Sequence, residues 1–289
     1  MSNCEPTSKG RTTAVVLALV PLALAAARLE VLDIPAPAMD RNVPCSVIVP
    51  DSYGKSERPL PVVYMLHGSN GTNMTLVSPV TSNAVDRFGF VAVCPWGGHS
   101  WWMDAPKTNS CFETWLVKNL MPEVEKRYCV CTDRAGRGIV GASMGGFGAH
   151  YIGIRHKDLF SAVGSVFGAF DLTNSPDKWG KPDLFGSYAD GDGGRLERSI
   201  LNVSESLKNG ELMLIETVGT SDFTLDENRA LHASLTRRGI AHTYVEMRGS
   251  DDVASGHTYE FAWPAFDMIF DRFAAHFAGR GTIWKESVK

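Results

Sequence analysis

Gly141-Ala142-Ser143-Met144-Gly145 is the stretch of this 289-residue chain whose spacing points most directly to chemistry. It has the G-x-S-x-G form of a nucleophile elbow, a sharp strand-to-helix turn that holds a serine at its apex. Ile139 and Val140 read as the end of a buried strand, and Gly146, Phe147, Gly148 and Ala149 as a helix able to pack closely. Gly141 and Gly145 flank the serine where a Cβ would clash. A serine presented in this way is a nucleophile once a base takes its proton. Without a base the same residues are a glycine-rich turn with an incidental serine.

Eight histidines compete for the role of base. His257, in Ser255-Gly256-His257-Thr258-Tyr259, follows the last expected strand, at the strand end where ligands of open α/β sheets bind. His67 also ends a strand but runs straight into a glycine turn and reads as shaping that loop. The other six fall on helices, in mid-strand or in an early loop. The orienting acid should stand between serine and histidine in the chain. Asp222, in Gly219-Thr220-Ser221-Asp222, lies just past an apolar strand. Asp226 reads instead as a helix N-cap, and Asp251 and Asp252 as solvated residues beside the histidine loop. Acyl transfer also needs donors for an oxyanion, usually two backbone N–H groups. The residue after the nucleophile, Met144, supplies one. The loop His67-Gly68-Ser69 offers the other, through Ser69 N–H.

Positioning these groups requires a particular order of elements. Arg28 to Ile34 and Val43 to Val49 read as an opening antiparallel pair. The run Leu60 to Leu66 is apolar throughout, as a strand buried on both faces must be. Expected strands at Phe90 to Cys94, before the elbow, at Phe160 to Val166, at Glu211 to Val218 and at Ala241 to Met247 alternate with helices around Val80 to Phe88, Cys111 to Tyr128, to His156, Asp226 to Arg238 and Tyr259 to Phe277. Such alternation predicts an α/β fold with a mostly parallel central sheet and helices on both faces. Between 171 and 209 the periodicity is lost, which reads as a loop-and-short-helix, cap-like insertion over the site. Residues 28–289 are expected to form one catalytic domain.

Composition excludes several classes. The chain is 44% hydrophobic and 21% charged, as in globular proteins, and its net charge of −4 with no basic, aromatic-interleaved run argues against nucleic acid. Lys9 and Arg11, the apolar run Ala14 to Ala27 and its small-residue end read as a signal peptide over residues 1–27, too short for a stable membrane span. A secreted or periplasmic protein is therefore expected. Of six cysteines, Cys45 and Cys94 lie in apolar runs and read as buried thiols. No Cys/His spacing suggests zinc, and Asp190-Gly191-Asp192-Gly193-Gly194 lacks the further ligands of a calcium loop, so neither a metal nor an organic cofactor is expected.

Tyr64 to Gly68, Gly141 to Ala149, Gly219 to Asp222 and Gly256 to Phe261 together resemble the esterase branch of the α/β-hydrolases that holds tributyrin-type esterases, S-formylglutathione hydrolases (esterase D), feruloyl and acetylxylan esterases and mycolyltransferases. The resemblance implies Ser143 as nucleophile, His257 as base, Asp222 as acid, and Ser69 and Met144 as oxyanion donors. It implies a serine esterase for short-chain or aromatic acyl esters, with a small-molecule or carbohydrate-linked substrate such as a plant-polysaccharide ester. The alternatives are a thioesterase like S-formylglutathione hydrolase, an acyltransferase, or a binding protein on a hydrolase fold. The chain departs from similar esterases in a longer loop, Ser250 to Ser255, before His257, and in its leader. Trp101 and Trp102, an adjacent pair that is hard to bury together, read as a substrate-stacking surface at the site edge.

Overall fold

A computed structural model describes residues 27–55, 58–105, 108–248 and 256–279. The leader up to residue 26 and the loop Ser250 to Ser255, with Asp251 and Asp252, lie outside the described residues.

Eight strands form one sheet: β1 (Arg28–Ala36), β2 (Arg41–Val49), β3 (Val62–Leu66), β4 (Val91–Pro95), β5 (Arg137–Ala142), β6 (Ala162–Val166), β7 (Met213–Gly219) and β8 (Thr243–Met247). Their spatial order is β1-β2-β4-β3-β5-β6-β7-β8. The β1/β2 and β2/β4 pairs are antiparallel, and every pair from β4 to β8 is parallel. The parallel part puts the C-terminal ends of β3, β5 and β7 along one rim. The loops that follow them carry Ser69, Ser143 and Asp222.

Alternation along the strands explains why the sheet is covered twice. In β3, Val62, Tyr64 and Leu66 enter one core and Val63 and Met65 the other. One face packs the helices Met144–Arg155 and Leu225–Arg237 and the helical stretch 112–127, through Phe147, Leu231, Leu235, Trp115 and Leu116. The other packs Pro79–Phe88 and Tyr259–Ala278 through Ala84, Val85, Phe266, Phe270 and Phe273. Each fully buried large side chain contributes on the order of 2–3 kcal/mol, so both faces hold the sheet firmly.

Two local readings change. The stretch 112–127 is not one regular α-helix, since Leu116–Leu120 winds as a π-helix between two α-helical pieces. Asp226 is not an N-cap. Thr224 holds that position, and Asp226 lies in the first turn, where a carboxylate favours the helix dipole. The segment 171–209 does contain short helices between its loops, Lys181–Phe185, Arg195–Arg198 and Ile200–Val203. It is pinned by two buried cations that bind backbone carbonyls: Lys181 on Asn174 and Ser175, and Arg195 on Asp192, Pro176 and Gly186. Cys45 and Cys94 are buried free thiols. Among the described residues no helix is long and apolar enough to cross a membrane.

Candidate active site

The elbow forms because β5 must turn into the helix Met144–Arg155 with no intervening loop. Ser143 takes the turn at φ 58°, ψ −120°, a conformation costly for a side-chain-bearing residue. The surroundings enforce it. A Cβ at Gly141 would strike the Gly145 backbone, and one at Gly145 would strike the Leu66 carbonyl. Ser143 N–H bonds the Val166 carbonyl at 3.0 Å, and its own carbonyl accepts from Phe147 and Ala169. Backbone held on both sides leaves the hydroxyl as the free group at the apex.

Asp222 follows β7 in a turn closed by its N–H on the Gly219 carbonyl at 3.0 Å. Its carboxylate is fully buried. Oδ1 accepts from Thr224 N–H and Thr224 Oγ1, both at 2.8 Å. His257 lies one residue before Thr258, the N-cap of the last helix, whose hydroxyl accepts from Phe261 N–H. That cap sets where the imidazole enters the rim. His257 Nδ1 lies 3.0 Å from both Asp222 oxygens, so Nδ1 carries the proton it donates and Nε2 is left as the acceptor. Nε2 is buried and makes no hydrogen bond among the described residues. The ring is held between Phe167 and Phe223, at centroid distances of 4.2 and 4.4 Å.

Ser143 and His257 line one cleft of about 230 Å³ with Gly68, Ser69, Asn70, Phe167, Trp179, Phe223, Thr258 and Tyr259. Ser69, on the cleft, touches the buried Met144, Ser69 Oγ lying 3.8 Å from Met144 Sδ. Ser69 N–H has no intrachain partner among the described residues, and Met144 N–H is the orphan donor of a helix start. A larger recess of about 610 Å³ sits at the opposite end of the strands, lined by Leu60, Phe90, Val130 and Phe277, away from all these groups.

Trp101 and Trp102 do not reach the cleft. Both are essentially fully buried, at 1% and 0% exposure, and both have left-handed backbone, which turns two consecutive indoles inward. Each supports a cleft wall from behind. Trp101 Nε1 donates to the Trp179 carbonyl at 2.9 Å, and Trp102 Nε1 to the His67 carbonyl at 3.3 Å. The exposed aromatic wall is instead Phe223, 58% exposed, stacked on Trp179 at 5.6 Å and 20°. Trp96 packs under the Arg41 guanidinium and edge-on to Phe112. The wall residues Phe167, Trp179 and Phe223, and Tyr259 on the cleft, carry no motif of their own. Phe223 adjoins Asp222 in sequence, which is the one signal that places it near the site.

The sequence pattern of the family described as "Putative esterase" matches residues 36–269. The chain belongs to that family. The chain is 29% identical over 148 residues to Esterase Rv1288 of Mycobacterium tuberculosis, a match covering 47% of the chain and 31% of the relative, so it spans about a third of that protein's length. Among solved structures, a ferulic acid esterase superposes with TM-score 0.74 at 22% identity, over 86% of this chain and 99% of the other. An S-formylglutathione hydrolase from Agrobacterium tumefaciens superposes with TM-score 0.73 at 17% identity, over 89% and 98%. At these identities the superpositions show a shared α/β-hydrolase fold.

Proposed function

We propose that this esterase is a serine carboxylester hydrolase working through an acyl-enzyme on Ser143. The observation that carries the reading is the buried Asp222 carboxylate, 3.0 Å from His257 Nδ1 through both oxygens, behind an imidazole that lines the same cleft as Ser143 on its strained turn. With Nδ1 protonated toward Asp222, Nε2 takes the Ser143 proton as Oγ attacks the ester carbonyl. The tetrahedral oxyanion accepts from Ser69 N–H and Met144 N–H, a stabilisation worth roughly 10²–10³-fold in rate per donor. His257 then gives its proton to the leaving alcohol, and water activated by the same nitrogen releases the acid.

The cleft supports a small or flat acyl group. Its volume of about 230 Å³ leaves little room for a long chain, and the Phe223–Trp179 wall offers a stacking face for an aromatic ring. The fold shared with a ferulic acid esterase agrees with an aromatic acyl group, and a plant-polysaccharide ester is a substrate that would carry one. The test is hydrolysis of acetyl, butyryl, octanoyl and feruloyl esters by the wild type and by Ser143→Ala. The expected result is turnover of the acetyl, butyryl and feruloyl esters, little of octanoyl, and none above background in the variant. Wild-type rates in a folded Ser143→Ala would refute the mechanism.

A further inference from the structure

Ser69 N–H and the Gly68 carbonyl belong to one trans peptide plane and point in opposite directions, so whatever fixes the carbonyl also aims the N–H. The Gly68 carbonyl is held by His67 Nδ1 at 2.7 Å and by Gly71 N–H at 3.1 Å. The tautomer of His67 follows from its other nitrogen. Nε2 faces Gly97 N–H at 2.9 Å, and a backbone N–H can only donate, so Nε2 is the acceptor and Nδ1 carries the proton given to Gly68.

The rest of this loop is arranged to keep that ring still. His67 is 1% exposed. The indole N–H of Trp102 donates to the His67 carbonyl, and its ring meets the imidazole edge-on at 5.1 Å. Gly71 leaves room for the imidazole, since a Cβ there would lie 2.6 Å from Nδ1. On the other side, Gly68 N–H is taken up by Tyr259 Oη at 3.4 Å and is withdrawn from the oxyanion.

We propose that His67 is a positioning residue of the oxyanion hole, which aims Ser69 N–H by donating from Nδ1 to the Gly68 carbonyl. The inference rests on the reading of Ser69 as an oxyanion donor. Burial pushes the His67 pKa down to about 4, which keeps the ring neutral and the donation intact across the neutral range. Below that, a proton on Nε2 opposes Gly97 N–H and the lock opens.

Two substitutions separate the two ring nitrogens. Asn places an amide N–H where Nδ1 was and keeps the bond to Gly68. Gln reaches the Nε2 position and keeps the bond from Gly97 but not the one to Gly68. The readout is the ratio of rates on an oxo-ester and its thionoester, because a thiocarbonyl sulfur is a poor partner for the oxyanion donors. His67→Asn is expected to retain kcat within about fivefold. His67→Gln is expected to lose about 10²-fold in kcat with KM nearly unchanged, and the oxo/thiono ratio should fall by a similar factor. If His67→Gln does not fold, the wild type carries the same test through pH. Loss of the general base affects both esters alike, so the expected ratio collapses as pH falls through about 4 while the fold persists. Equal kcat in folded Asn and Gln variants, or a ratio flat with pH, would overturn the proposal. Ser143→Ala run alongside separates the failures: activity surviving there sinks the serine mechanism, whereas an inactive Ser143→Ala beside equal His67 variants sinks only the role of His67.

Discussion

Phe223 stands next to Asp222 in the chain and over the face of His257 in the fold, so a single residue step separates the proposed orienting acid from the proposed substrate wall. Truncating it would remove the stacking surface and leave the Asp222–His257 bond in place. Phe223→Ala is therefore expected to lower kcat/KM for feruloyl esters about tenfold, in line with roughly 1–1.5 kcal/mol for an aromatic pair, while acetyl ester rates stay within about twofold. Parallel losses on both esters would place Phe223 in support of His257 rather than in selection. At this scale the sequence was informative wherever chemistry demanded a local pattern. Ser143 directly follows β5, Asp222 stands three residues past β7, and His257 lies on the segment between β8 and the last helix, each close to a glycine that is visible in one dimension. Trp101 and Trp102 misled because adjacency suggested exposure, whereas their left-handed backbone turns both indoles into the core. Their actual contacts, to Trp179 and His67, span 78 and 35 residues, and no local pattern encodes such distances.

The elbow shows how an element, rather than a residue, sets the reactive geometry. Gly145 lies against the Leu66 carbonyl at the end of β3, so strand, turn and helix share one close contact. Gly145→Ala forces backbone to move, because carbonyl and helix are both fixed by their own ladders. The expected loss is about 3 kcal/mol or more, seen as a lowered urea midpoint. A wild-type midpoint would mean that the elbow is looser than described. Helix and strand order was legible from periodicity because buried strands and amphipathic helices each carry their own apolar pattern. The exceptions were places where side-chain hydrogen bonding or packing decides the backbone. Thr224 rather than Asp226 occupies the N-cap because the Thr224 N–H and hydroxyl are already committed to Asp222, which fixes where the helix can begin. The π-helical turn at Leu116–Leu120 keeps the apolar spacing of an ordinary helix and leaves no mark in the sequence.

The whole molecule ties the segment 171–209 to the helix Leu225–Arg237 through ionisable groups held away from water. Glu227, on the first turn of Leu225–Arg237, accepts from Asp171 N–H and faces Asp171 and Lys181. Burial raises its pKa to about 8 and lowers that of Lys181 to about 8. Glu227 is therefore neutral in the fold at neutral pH, whereas the unfolded chain ionises it from about 4.5 upward. Its contribution to stability is fully present below pH 4.5 and is lost as pH rises through 8. Lys181 acts in the opposite sense, its burial penalty easing only as pH rises from about 8 toward 10.5. Glu227→Gln keeps an acceptor for Asp171 and cannot ionise. The variant should match wild type near pH 4.5 and exceed it near pH 8, by on the order of 2 kcal/mol in thermal melts. A difference constant with pH would show that Glu227 does not titrate as described. None of this coupling was legible in the sequence, where 171–209 shows only a loss of period. Its order comes from Lys181 and Arg195 binding backbone carbonyls, and a lysine or arginine in a polar segment carries no sign in one dimension of whether it turns inward or to solvent.

The central claim, an acyl-enzyme on Ser143, is tested most directly by acid-quenching the esterase during turnover of an activated acetyl ester and mapping the acetyl group by peptide mass spectrometry. The expected result is acetyl on the peptide that contains Ser143, at its hydroxyl, appearing before steady state and absent from Ser143→Ala. Turnover with no covalent adduct on Ser143, or an adduct on another residue that persists in Ser143→Ala, would contradict it.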